Sequence, residues 1–254
     1  MTKIKTARDL EHYSIYAIFF DAGCTLVWPD FQAQAEMATQ ILERPVTQAD
    51  MMRGDKIARR FANSYVPENG FGTSTVDDEA VPAWYAEFLK ILFTGALRCS
   101  DDDLEPALNK LIRSFWLRHR DKNWVSVIGP DVIPTLEILK ARKIPLGVIS
   151  NAEGRVESDL ADLGLRDYFV SILDSGVEKI AKPDSEIFRR AASRMQLEPE
   201  KCLYIGDLPR VDICGAMQAG FQAMHYDPMG VFDDHDLTVP RCRNLLSLAG
   251  IFPR

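Results

Sequence analysis

Residues 15–20, IYAIFF, form an unbroken apolar run that stops at Asp21. An uninterrupted run of this length fits a strand buried on both faces, as in a parallel sheet. The small residues that follow, DAGCT, suit a tight loop. From about Asp30 to Trp124 the period changes: Phe31–Leu42, Gln48–Phe61, Val81–Phe93 and Asp101–Arg118 carry apolar residues at helical spacing. Between the second and third lies YVPENGFGTSTVDD, polar and rich in turn formers, which predicts a loop. No strand pattern is found in this stretch, so it reads as a helical bundle inserted after the first strand.

Beyond Gly129, strands and helices alternate. The pattern predicts a helix over Asp131–Arg142 with Asp131 as its cap, a strand over Pro145–Ser150, and a helix over Glu153–Leu163 ending near Gly164. It then predicts a strand over Phe169–Leu173 and a helix over Asp184–Met195 with Pro183 in its first turn. Next come a strand over Cys202–Ile205, a helix over Val211–Ala219 stopped by Gly220, and a strand over Phe221–His225. The tail adds a short strand and a helix over Leu245–Ile251. This rhythm implies an α/β fold, a Rossmann-like parallel sheet with helices on both faces.

Composition narrows the class. The chain has 254 residues, 46% hydrophobic and 26% charged, enough for a full core without staples. Its net charge of −7 argues against a broad electrostatic grip on nucleic acid or an anionic membrane surface. A local pocket can still oppose that sign and take a small anion. The five cysteines have no metal-type spacing and read as reduced thiols. With no signal-peptide layout and no membrane-length apolar run, a cytoplasmic location is expected.

Chemistry collects at the strand ends: Asp21 after the first, Ser150 and Asn151 after the second, and Asp207 after the fourth, with Lys182 just before a helix. In a parallel sheet these ends share one edge, so residues distant in sequence converge there. Acids, a hydroxyl, an amide and a lysine around helix N-termini suit a divalent cation and a phosphate-like anion. The histidines show no ligand spacing, and no role is expected of them.

With those residues in order, the sequence resembles the haloacid dehalogenase (HAD) superfamily of hydrolases. Four motifs match: the apolar strand with Asp21-Ala22-Gly23-Cys24-Thr25; Val148-Ile149-Ser150-Asn151; Lys182-Pro183; and Gly206-Asp207 with Asp212 five positions on. The resemblance implies a core of residues 1–30 and 125–254, with 31–124 as a helical cap domain. It implies strand order 5-4-1-2-3 and Mg²⁺ as cofactor. Asp21 would be the nucleophile and a metal ligand. The Gly23 carbonyl and Asp207 would also hold the metal, with Asp212 a direct or outer contact. Ser150 and Asn151 would donate to the transferring group, Thr25 would steady the loop or bind the substrate, and Lys182 would neutralise Asp21 and the substrate anion.

One departure matters. Phosphatases of this superfamily carry an aspartate two positions after the nucleophile, which protonates the leaving group and later activates water. Here that position is Gly23. General acid–base catalysis is worth about 10²–10⁴ in rate, or roughly 3–5 kcal/mol. The expectation is therefore a hydrolase of a small phosphorylated metabolite with a good leaving group, weak on ordinary phosphomonoesters. Two alternatives stand beside it. One is a carbon–phosphorus or carbon–halogen hydrolase, the former using a cap lysine such as Lys56. The other is a catalytically silent protein that binds a phosphorylated ligand or a partner.

Overall fold

The computed structural model describes residues 14–65 and 80–250. Past Tyr65, the loop expected over residues 65–78 lies outside the described residues, as does Ile251. The described chain divides into two compact units, residues 14–28 with 127–250 and residues 29–65 with 80–126.

The first unit is an α/β layer structure. Its sheet is built from β1 (Ala17–Phe20), β4 (Leu146–Ser150), β5 (Ser171–Asp174), β6 (Cys202–Gly206), β7 (Gln222–Tyr226) and β8 (Arg241–Cys242). The spatial order is β5-β4-β1-β6-β7-β8, and every pair is parallel. Counted within this sheet, that is the expected order with one further strand at the edge. β1, β4 and β6 are buried along their whole length, which is why they read as continuous apolar runs. The chain steps from β1 outward through β4 and β5, then returns to β6 on the other side of β1. The order therefore reverses between β1 and β6, where open sheets of this kind bind ligands. Phe20 pairs with Ile205, so the two strands end level with one another.

Helices α5 (Val132–Ala141), α6 (Val156–Asp162), α7 (Ser175–Glu178), α8 (Ser185–Arg194) and α9 (Gly215–Gln218) belong to the same unit. Phe19, Ile149, Phe188, Tyr204 and Phe221 meet in one core cluster. Three local expectations are corrected. Asp131 precedes α5 without capping it; its carboxylate accepts from the Leu245 amide at 2.6 Å instead, tying the tail to the start of that helix. Pro183 lies before the Asp184 cap of α8, not in the first turn, and follows a cis peptide bond. The single helix expected over Val211–Ala219 is a π-helical turn, Pro209–Cys214, running into α9.

The second unit holds α1 (Phe31–Leu42), α2 (Gln48–Ser64), α3 (Ala83–Leu97) and α4 (Asp101–Asp121). Capping boxes start two of these helices: Thr47 with Asp50 on α2, and Ser100 with Asp103 on α4. α2 and α3 approach closely because Gly54 has no side chain; a Cβ there would lie 2.1 Å from the Leu92 carbonyl oxygen. In the core of the bundle Phe93 meets Phe115 edge to face, and Phe115 stacks on Trp124. Two short strands, β2 (Val27–Pro29) and β3 (Val125–Ile128), pair where the chain passes from one unit to the other; the sequence pattern did not indicate them.

Candidate active site

Asp21 follows β1, and its amide still donates to Ile205 O at 2.8 Å, which continues the β1–β6 ladder by one step. Asp207 follows β6. Asp212 sits in the π-helical turn just beyond it. The carboxylates of these three buried residues present oxygens that all lie within 4.8 Å of one another. Asp212 can approach so closely because residue 206 is glycine: a Cβ there would lie 2.5 Å from the Asp212 carboxyl carbon.

Lys182 enters the same cluster from the loop before α8. Its ammonium donates to Asp21 Oδ1 at 2.6 Å, to Asp212 Oδ1 at 2.7 Å and to the Tyr204 hydroxyl at 2.8 Å. An ammonium has three protons, and each has an acceptor here. Tyr204 in turn has Ile149 O and Asp212 Oδ1 within reach of its single proton, both at 3.1 Å. Burial alone would lower the lysine's pKa, but the Asp21 and Asp212 carboxylates outweigh it and raise it. Burial also pushes the Asp21 carboxyl up to about 6, against the pull of Lys182 and with repulsion from Asp212 adding to the rise. The Tyr204 hydroxyl is raised well above its ordinary value, chiefly by burial.

Asn151 stands beside this cluster and binds the backbone of Lys182. Its Oδ1 accepts from the Lys182 amide at 2.8 Å, and its Nδ2 donates to the Lys182 carbonyl at 2.9 Å. The amide thus holds the lysine's backbone. Gly215 lets α9 close on the same loop, since a Cβ there would lie 3.0 Å from the Pro183 Cα and carbonyl oxygen. Ser150 is buried at the end of β4. Thr25 is fully buried, and its hydroxyl has no hydrogen-bond partner among the described residues.

Gly23 does not adopt a left-handed backbone conformation. The next residue, Cys24, does, with φ of 56°. A Cβ built on Gly23 meets nothing within 4 Å. Lys56 is exposed on α2.

Three residues of this neighbourhood were not singled out by sequence reasoning. Tyr204 lay in an apolar strand and read as core. Asp174 accepts amides from Gly154, Val156 and Gly176, fixing the loop after β4. His225 presents Nε2 at 2.9 Å from the Asp207 carbonyl oxygen. Its place after Met224 in an apolar strand gave no signal.

The donor set fits a divalent metal. Three carboxylates face one ammonium, so the cluster carries excess negative charge in a buried place, and hard oxygens are the donors Mg²⁺ prefers. Among the described residues, no helix is long and apolar enough to cross a membrane.

Comparison with known proteins bears on the same region. A sequence model of the family described as haloacid dehalogenase-like hydrolase matches residues 15–220. The glyceraldehyde 3-phosphate phosphatase of Methanopyrus kandleri is 28% identical over 211 residues, 75% of this chain and 88% of that one. The phosphoserine phosphatase of Thermus thermophilus is 30% identical over 155 residues, 61% of this chain and 60% of that one. Among solved structures, a 2-haloacid dehalogenase from Pseudomonas syringae pv. Tomato aligns with a TM-score of 0.55 at 28% identity, covering 93% of this chain and 97% of that one. The HAD-hydrolase YfnB from Bacillus subtilis, bound to magnesium, aligns with a TM-score of 0.61 at 20% identity, covering 93% and 98%.

Proposed function

The chain belongs to the haloacid dehalogenase-like hydrolases, and from that premise we infer a Mg²⁺-dependent hydrolase of small phosphorylated substrates whose leaving group departs without needing a proton. The observation that carries this reading is the buried cluster of Asp21, Asp207 and Asp212, in which Lys182 bridges Asp21 and Asp212, beside a residue 23 that has no side chain. In this reading residues 31–124 are the cap domain, and 1–30 with 125–254 the catalytic core.

Asp21, the Gly23 carbonyl and Asp207 would hold the metal, with Asp212 alongside. When bound, Mg²⁺ supplies positive charge that keeps Asp21 ionised and offsets charge on a transferring phosphoryl group. The chain's own residues do the rest. Lys182 fixes Asp21 Oδ1 and leaves Oδ2 as the attacking oxygen, which forms the bond to phosphorus as the leaving oxygen takes the electron pair. Asn151 positions Lys182. Ser150 and Thr25 offer hydroxyl donors to the incoming anion, and a buried hydroxyl without a partner suits that task.

Gly23 sets the limit. With no carboxyl there, the departing oxygen receives no proton from this loop, so acyl and aryl phosphates are favoured over alkyl phosphates. The relatives named as phosphatases support the phosphate class. A dehalogenase reading draws on the likeness to the Pseudomonas enzyme, because halide leaves without a proton. The acidic cluster weighs against it, since chloride displacement needs no metal carboxylates.

The test is a substrate screen of the purified protein with and without Mg²⁺, spanning acyl, aryl, sugar and alkyl phosphates, phosphonates and 2-haloacids. Mg²⁺-dependent release of phosphate from acyl or aryl phosphates supports the reading. Metal-independent halide release replaces it with dehalogenation. Absence of turnover on every class replaces it with a binding role.

A further inference from the structure

Asp207 and Leu208 are joined by a peptide whose two polar ends are both held by buried side chains. The Leu208 N–H donates to Asp212 Oδ2 at 2.9 Å. The Asp207 carbonyl lies 2.9 Å from His225 Nε2. β6 ends at Gly206, so this peptide is the first beyond the strand, where ladder pairing no longer fixes its plane. His225 reaches it because β7 pairs with β6 in a register that sets His225 opposite Gly206.

The ring is fully buried, and its Nδ1 has no hydrogen-bond partner among the described residues. A neutral imidazole carries one proton. Placed on Nδ1, it would be a buried donor without an acceptor, and the Nε2 lone pair would face the lone pairs of a carbonyl oxygen. Placed on Nε2, it makes the bond to Asp207. Geometry therefore selects the Nε2–H tautomer. An apolar residue would fill the same core position without leaving a ring nitrogen unsatisfied. The retained imidazole makes one polar contact, and that contact is to the backbone of the residue whose carboxylate completes the acidic cluster.

We propose that His225 is a positioning residue for Asp207: by donating to the Asp207 carbonyl it sets the plane of the Asp207–Leu208 peptide, and so the place of the Asp207 carboxylate in the metal site. The proposal rests on the assignment of Asp207 as a metal ligand. Outer hydrogen bonds of this kind orient ligands, and their loss typically lowers metal affinity by about 10–100-fold.

The experiment measures Mg²⁺ binding to the metal-free protein by titration calorimetry. The variants are His225→Leu, His225→Gln and His225→Asn, with Asp207→Asn as the control for the ligand assignment. A glutamine amide reaches about as far as Nε2 and keeps the donor; leucine has no donor, and the asparagine amide is too short. The expected result is a loss of about 10-fold or more in affinity for Leu and Asn, with Gln close to wild type. The Mg²⁺ concentration for half-maximal turnover should rise in the same order, while kcat at saturating Mg²⁺ changes little. If Leu does not fold, the Gln and Asn pair decides alone. Wild-type affinity in Leu or Asn, or equal weakening in Gln and Asn, overturns the proposal. Unchanged binding in Asp207→Asn overturns the ligand assignment itself, which is a separate outcome.

Discussion

Asn151 grips both polar ends of residue 182's backbone, accepting from the Lys182 N–H at 2.8 Å and donating to its carbonyl at 2.9 Å. This pair of bonds ties the end of β4 to the loop before α8, across 31 positions of sequence. It explains how a long, flexible side chain is delivered to Asp21 in one orientation. The lysine stem begins from a backbone that cannot rotate without breaking two bonds.

Removing the grip should therefore act through Lys182. Asn151→Ala is expected to lower kcat on an aryl phosphate on the order of 10²-fold, the cost of misplacing a reacting group by about 1 Å. Mg²⁺ affinity should change far less, because Asn151 touches no carboxylate of the cluster. Steady-state kinetics and Mg²⁺ calorimetry on one preparation check both halves.

Lys182 itself joins two buried carboxylates. Lys182→Met leaves Asp21 and Asp212 facing each other without the intervening charge. Breaking a buried ion pair by deleting one partner costs about 3–5 kcal/mol, so the metal-free variant should melt well below wild type. Adding Mg²⁺ should recover part of the loss. Tyr204→Phe removes one of three acceptors and should cost about 1–3 kcal/mol. Thermal unfolding with and without Mg²⁺ measures these differences.

Two glycines separate room from need. At Gly206 a Cβ would lie 2.5 Å from the Asp212 carboxyl carbon, so Gly206→Ala should displace Asp212 and abolish turnover. At Gly23 a Cβ meets nothing within 4 Å and the backbone is not left-handed, so Gly23→Ala should fold with wild-type stability. A matched pair of melting curves and activity assays distinguishes them.

The helical unit supplies a pH prediction. Burial pushes the Asp55 carboxyl up to about 6, against the pull of Arg59. A carboxyl raised in the folded state binds its proton there before the unfolded chain does. Stability is thus fullest below the ordinary carboxyl value of 3.8 and falls as pH rises through about 6. The span corresponds to at most about 3 kcal/mol. Asp55→Asn should flatten this part of the profile, as seen in denaturant unfolding between pH 4 and 7.5.

Much of this arrangement was legible before any coordinates. Continuous apolar runs gave β1, β4 and β6, because strands buried on both faces need no polar alternation. Helical spacing gave α1 to α4, while the capping boxes at Thr47 and Ser100 that start two of them show only in the structure. The three residues of β2 carry too little periodicity to read. The motif residues Asp21, Lys182, Asp207 and Asp212 do converge; the hold of Asn151 on the Lys182 backbone is a contact that a residue type at a strand end cannot reveal. Tyr204 and His225 were hidden for a common reason. Each occupies an inward position of a buried strand, where an aromatic ring reads as core and its polar atom shows only when the neighbouring strand is known.

The central claim is that Asp21 takes a phosphoryl group while Gly23 leaves the leaving group unprotonated and the intermediate slow to hydrolyse. The most direct measurement compares wild type with Gly23→Asp on one alkyl and one aryl phosphate, with acid-quenched samples analysed by mass spectrometry. The account predicts that wild type favours the aryl ester and accumulates phosphate on Asp21. The variant, whose new Cβ meets nothing within 4 Å, should accelerate alkyl ester turnover more than aryl and deplete that intermediate. Rapid alkyl phosphate cleavage by wild type, with no phosphate found on Asp21, would contradict it.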